Sequence, residues 1–110
     1  MERGSMPGAP VVRVSLGWFP PERLAEVEQH MSFGGQPLGE AIPALPGLLG
    51  YWSGVDRERH AVVNVSLWAS AQAAEQMATL QAMLDAGAAL ARLGVQFVRP
   101  IVNASTLWSA

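Results

Sequence analysis

The stretch His60–Ser70, HAVVNVSLWAS, decides how this chain folds. Val62, Val63, Val65 and Leu67 favour a pleated, half-buried surface and predict a β-strand, although Asn64 sits among them. Side chains alternate across a strand, so His60, Val62, Asn64, Ser66 and Trp68 share one face and Ala61, Val63, Val65 and Leu67 the other. The second face is wholly apolar and is assigned to the core beneath the helices. The first carries an amide, a hydroxyl and an indole in place of the charges of a wet surface. It is too aromatic for free solvent and too polar for a dry core.

Working outward, the polar run Asp56–Arg59 reads as a turn, and Gly47–Val55, GLLGYWSGV, as the antiparallel partner strand. Val11–Trp18 alternates as an earlier strand, with Val12, Val14, Leu16 and Trp18 against Val11, Arg13, Ser15 and Gly17. Pro20 and Pro21 suit the opening of a helix whose face is Leu24, Val27 and Met31, and Gly34-Gly35 is expected to stop it. QPLGEAIPALPG adds a short helical turn through Leu38, Ala41, Ile42 and Leu45, kept brief by Pro43 and Pro46. Ser70 is an N-cap for a second helix with the stripe Ala73, Met77, Leu80 and Leu84; Gly87 is expected to break or kink it and Gly94 to close it. Val95–Trp108 reads as the last strand, where Pro100 marks an edge or a bulge. The order β-α-β-β-α-β predicts a ferredoxin-like α+β sandwich, with helices on one face of an antiparallel sheet.

Composition bounds the rest. A chain of 110 residues, 50% hydrophobic and 15% charged, makes one globular domain, here 11–110, with 1–10 read as a disordered leader. No apolar run reaches the length of a membrane span, and the opening residues lack a secretory pattern, so the expected location is the cytoplasm. The absence of cysteine removes disulfides, thiolate metal sites and a thiol nucleophile. All seven basic residues are arginines, scattered in a chain of net charge −2, which is no footprint for nucleic acid. His30 and His60 stand far apart without a matching carboxylate pattern, so no metal site is expected.

The helices can cover only one face of the sheet. With the Asn64 face left over, the expected cover is a second copy of the chain, two half-barrels closing face to face as a homodimer. Asn64, left without a partner, would cost about 1–3 kcal/mol, so it must meet a neighbour, a water or a ligand. A largely apolar cavity with a few convergent polar groups is the usual make-up of a small-molecule pocket. The expected lining comprises Trp52, His60, Ser66, Trp18 and Trp108 around Asn64 and Trp68, holding a small hydrophobic ligand. Arg99 and Asn103, on one face of the last strand, are candidates for an interface bond or an anion contact in the pocket.

The element order, the segment PGLLGYWSG (46–54) and above all VVNVSLWASAQAAEQM (62–77) resemble the dimeric α+β barrel superfamily, and within it proteins of the antibiotic biosynthesis monooxygenase type. The likeness runs from about Val11 to Trp108. Members that oxidise polycyclic phenols without metal or flavin carry an Asn and, four residues on, a Trp at the end of one strand; Asn64 and Trp68 match that spacing. The resemblance implies catalytic roles for both. Asn64 would hydrogen-bond a substrate carbonyl or enolate, and Trp68 would line the site, because an electron-rich carbanion reacts with O₂ unaided when a donor stabilises its oxyanion in a dry pocket. A Tyr found shortly after the Trp in those enzymes has no counterpart among Ala71, Ala73 and Ala74. The haem-degrading branch wants a histidine where this chain has Met77-Ala78-Thr79, so no cofactor is expected.

Two functions follow: a cofactor-independent monooxygenase for an aromatic or polyketide-like substrate, or a non-catalytic ligand-binding or structural dimer. In the second, Trp68 closes the barrel end and Asn64 bonds a neighbouring strand or a water. An open cavity beside Asn64 favours the enzyme. A pocket filled by Trp52 or Trp108, with the amide tied to backbone, favours the other.

Overall fold

The computed structural model describes residues 9–32 and 36–110. The Gly34-Gly35 stop lies outside the described residues, as does the leader up to residue 8. Pro10, assigned to that leader, is tied to the last strand: its carbonyl accepts from the Thr106 N–H and Oγ1, both at 2.9 Å.

Strand β1 (Val11–Trp18) leads through a 3₁₀ turn (Pro21–Arg23) into α1 (Leu24–Met31). Helix α2 (Pro37–Ala41), with a 3₁₀ turn at Ile42–Ala44, precedes the hairpin of β2 (Leu48–Asp56) and β3 (Ala61–Trp68). Helices α3 (Ala71–Ala74), α4 (Gln76–Thr79) and α5 (Gln81–Arg92) follow, then β4 (Gln96–Phe97) and β5 (Val102–Ser105). The antiparallel sheet runs β2-β3-β1-β4, and β5 also pairs with β1. This is the expected ferredoxin-like α+β arrangement.

Local chemistry fixes several joints. In the β2–β3 turn, Asp56 Oδ1 accepts from the N–H groups of Glu58 and Arg59, each at 3.1 Å, and His60 closes the turn at φ 54°. The Arg59 N–H, ahead of other contacts, holds the Asp56 carboxyl below its ordinary range. Ser70 caps α3 as expected, its Oγ accepting from the Ala73 N–H at 3.1 Å. Gly17 has no room for a side chain: an added Cβ would lie 2.9 Å from Val95 Cγ1, which is how β4 closes on β1.

Three expectations need correction. The helical run breaks at Leu80 (ψ 116°), not at Gly87, and the Leu80 carbonyl caps α5 by accepting from the Met83 and Leu84 N–H groups. The break follows packing: both Met77 and Leu80 belong to the cluster around Trp68. The last strand is two short strands, separated by a segment holding the cis Arg99–Pro100 bond.

The third correction matters most. Helices cover the Asn64 face, and the wholly apolar face is the bare one. Val62 and Trp68 are fully buried, Val62 against Val27 and Met31 of α1 and Leu90 of α5, Trp68 against Leu38, Ile42, Ala74 and Met77. Burying side chains of this size contributes about 1.5–3 kcal/mol each. Register places Val12, Val14, Leu16 and Trp18 beside Leu67, Val65, Val63 and Ala61 on the opposite side. There Trp18 is 45% exposed, Trp52 60% and Val102 56%. Alternation alone could not choose between the faces, because neither is the charged surface of an ordinary two-layer protein.

Candidate functional site between the sheet and the last long helix

The core is two clusters rather than one, centred on Trp68 and on Val62. Between them, on the helix side of the sheet, two cross-strand rows are polar. One row aligns Asn103, Arg13, Ser66 and Tyr51; the next aligns Ser15, Asn64 and Ser53. A cavity of about 490 Å³ opens over these rows. Arg13, Ser15, Tyr51, Asn64 and Arg99 supply its polar groups, and Met77, Met83, Leu90, Phe97 and Ile101 much of its apolar wall. On the α5 side Ala86, Gly87, Ala88 and Ala91 keep the wall thin, and a Cβ added at Gly87 would meet nothing within 4 Å. The volume falls in the range of small-molecule sites.

The Tyr51 hydroxyl donates to Asn64 Oδ1 at 2.9 Å. With its oxygen engaged, the amide has its Nδ2 hydrogens left to offer. Burial pushes the Tyr51 phenol up to about 12, despite the opposing pull of Arg13. It therefore stays a neutral donor. Burial likewise holds the Arg13 guanidinium below its ordinary value, Tyr51 raising it and Arg99 lowering it further. Arg99 lies over the Phe97 ring, 5.2 Å from its centroid.

Of the residues assigned to catalysis or to the pocket lining from the sequence, Asn64 lines the cavity and Trp68, Trp52, His60, Ser66, Trp18 and Trp108 do not. Trp68 is core, its indole N–H donating to Ser66 Oγ at 2.8 Å, which also accounts for the buried Ser66 hydroxyl. His60 stands at the hairpin turn, edge-on to Phe19 with centroids 5.8 Å apart. Trp18 and Trp52 lie on the bare face, and Trp108 is 82% exposed beyond β5. Arg99 reaches the cavity as one of its two foreseen roles required, while Asn103 is exposed. Arg13, Ser15 and Tyr51 were missed as site residues. The signal was present in β1, where Arg13 and Ser15 share a face with Val11 and Gly17 and alternate with Val12, Val14 and Leu16.

Among the described residues no group of acidic or histidine side chains is placed to hold a metal, and no helix is long and apolar enough to cross a membrane.

No protein-family model and no curated protein matches the chain. Solved structures do. A candidate antibiotic biosynthesis monooxygenase from Deinococcus radiodurans superposes with a TM-score of 0.72 at 18% identity, covering 91% of this chain and 95% of that one. A second such candidate, from Caulobacter crescentus, gives 0.66 at 18% identity over 94% and 92% of the two chains. SnoaB, a cofactor-independent oxygenase from Streptomyces nogalater, gives 0.61 at 14% identity over 92% and 96%. The architecture is thus ferredoxin-like α+β. Within that class it is the fold of the antibiotic biosynthesis monooxygenase-like proteins, as the sequence resemblance implied.

Proposed function

We propose that this chain is a cofactor-independent monooxygenase-like enzyme of the cytoplasm, acting on a small hydrophobic aromatic or polyketide-like substrate. One observation carries the reading: Tyr51 fixes the Asn64 amide so that its N–H donors serve an otherwise largely apolar cavity. A donor preset in a low-dielectric chamber stabilises an enolate oxyanion without reorganising during the reaction. The electron-rich carbon of that enolate can then combine with O₂. A substrate CH₂ becomes C=O and one water departs, so the substrate supplies every electron and no metal or flavin is called for. Asn64 is the catalytic residue and Tyr51 orients it, while Trp68 lies in the core cluster that includes Met77 of the cavity wall.

The cavity is open beside Asn64, neither Trp52 nor Trp108 fills it, and the amide is held by a side chain rather than by backbone. These features favour the enzyme over a non-catalytic barrel. The bare sheet face supports the second half of the proposal, a homodimer. A continuous apolar surface with half-exposed indoles marks an interaction site, and sheet-on-sheet pairing of two copies would cover it.

The test is oxygen uptake with a panel of hydroxylated naphthalenones and anthrones. Wild-type protein is expected to consume O₂ with at least one of them, and Asn64→Ala to abolish that uptake while the assembly stays intact. Unchanged turnover in Asn64→Ala removes the oxyanion role.

A further inference from the structure

The chain has more acids than bases, nine against seven, yet among the described residues no carboxylate lines the cavity. Three other arginines are paired, Arg23 with Glu26, Arg57 with Glu28 and Arg59 with Asp56, while Arg92 stands exposed at the end of α5. Arg13 and Arg99 have no carboxylate partner among the described residues, and Arg99 lies close enough to disfavour the charge on Arg13. A half-buried guanidinium facing a second cation is costly unless an anion joins it.

The lining also lacks a base. Its ionisable members are Arg13 from β1, Tyr51 from β2 and Arg99 after β4, while α4 and α5 contribute none. An arginine has no proton to lose near neutral pH. The Tyr51 phenol, raised by burial, is no acceptor there either. Among the described residues, nothing in the wall can remove a proton from a neutral enol or phenol.

We infer that the cavity selects a hydrophobic ligand that arrives already ionised, an acidic enol or phenol whose oxyanion is met by Arg13 and Arg99 beside the Asn64 amide. The inference rests on the reading of this cavity as the reaction chamber and adds the charge state of what enters it. Recognition replaces deprotonation: the site accepts the reactive anion instead of making it.

The probe pair is 2-hydroxy-1,4-naphthoquinone, an acidic enol ionised at neutral pH, and its neutral ether 2-methoxy-1,4-naphthoquinone. Binding of each is followed by tryptophan fluorescence or calorimetry, and oxygen uptake is recorded in parallel with the hydroxylated naphthalenones and anthrones, which carry the oxidisable CH₂ that both quinones lack. The hydroxy compound is expected to bind at least about tenfold tighter, the scale of a hydrogen bond to a charged group. Its affinity should fall as pH is lowered through its own ionisation. Arg13→Met should erase the preference while keeping affinity for the ether, and Arg99→Gln, at an exposed position, should reduce it should the first variant not fold. Equal affinity for the two compounds, a preference untouched in both variants, or no binding of either overturns the inference. Anion preference without oxygen uptake upholds it and removes the oxygenase. Uptake from a substrate bound equally well when neutral upholds the oxygenase and overturns the inference.

Discussion

Tyr51 on β2 and Asn64 on β3 lie in adjacent cross-strand rows and share a 2.9 Å hydrogen bond in which the phenol donates to the amide oxygen. That bond converts a conformationally symmetrical amide into a one-sided donor. Removing the hydroxyl with Tyr51→Phe leaves the ring in place but frees the amide to rotate. One neutral hydrogen bond contributes about 1 kcal/mol, and turnover is expected to fall about fivefold to tenfold. Steady-state oxygen uptake checks this. The loss should appear in kcat more than in KM, because the oriented amide acts on charge that develops during reaction.

Tyr51 is also the chain's one tyrosine, so its ionisation can be followed by the ultraviolet phenolate band alone. The folded phenol titrates at about 12 against 10.0 for an unperturbed one, burial being the main cause. Between those values the unfolded chain has released the proton and the native chain has kept it, so rising pH favours unfolding. The stability attached to the neutral phenol is complete below pH 10 and is lost by pH 12. The full effect is up to about 3 kcal/mol. Chemical denaturation at rising pH should show this decline in wild-type protein and a shallower one in Tyr51→Phe.

Gly87 sits inside α5 with open space where a Cβ would project. Replacing a mid-helix glycine by alanine contributes about 1 kcal/mol of stability. Gly87→Ala is therefore expected to raise the unfolding midpoint with little effect on binding. Gly87→Phe should instead fill the chamber and abolish binding of a naphthoquinone at unchanged far-ultraviolet circular dichroism.

Trp52 projects from the bare face at 60% exposure, paired in register with Val65. Trp52→Glu places a charge in the centre of the proposed subunit contact, where an unpaired buried charge is strongly destabilising. Sedimentation should report a dimer for the wild type and a monomer for the variant. A wild type that sediments as a monomer defeats the assembly.

Sequence alone determined a good deal. The alternation in Val11–Trp18 and Ala61–Trp68, the polar turn at Asp56–Arg59 and the Ser70 cap sufficed for the element order and hence the ferredoxin-like fold, because these are local signals. Asn64 stood out for the same reason: an amide among β-branched residues is a local anomaly. The side it faces was not local. Both faces of β3 carry apolar residues, and only the docking of α1 and α5 on Val62 assigns the Asn64 face to the helices. The partners of Asn64 were hidden likewise. Arg13 and Tyr51 lie far apart in the chain and share one row only through strand register. Trp68, matched by spacing to a catalytic role, became core because α2 and α4 close over it. Periodicity fixes which side chains share a face. What covers that face depends on long-range packing, which no window of sequence contains.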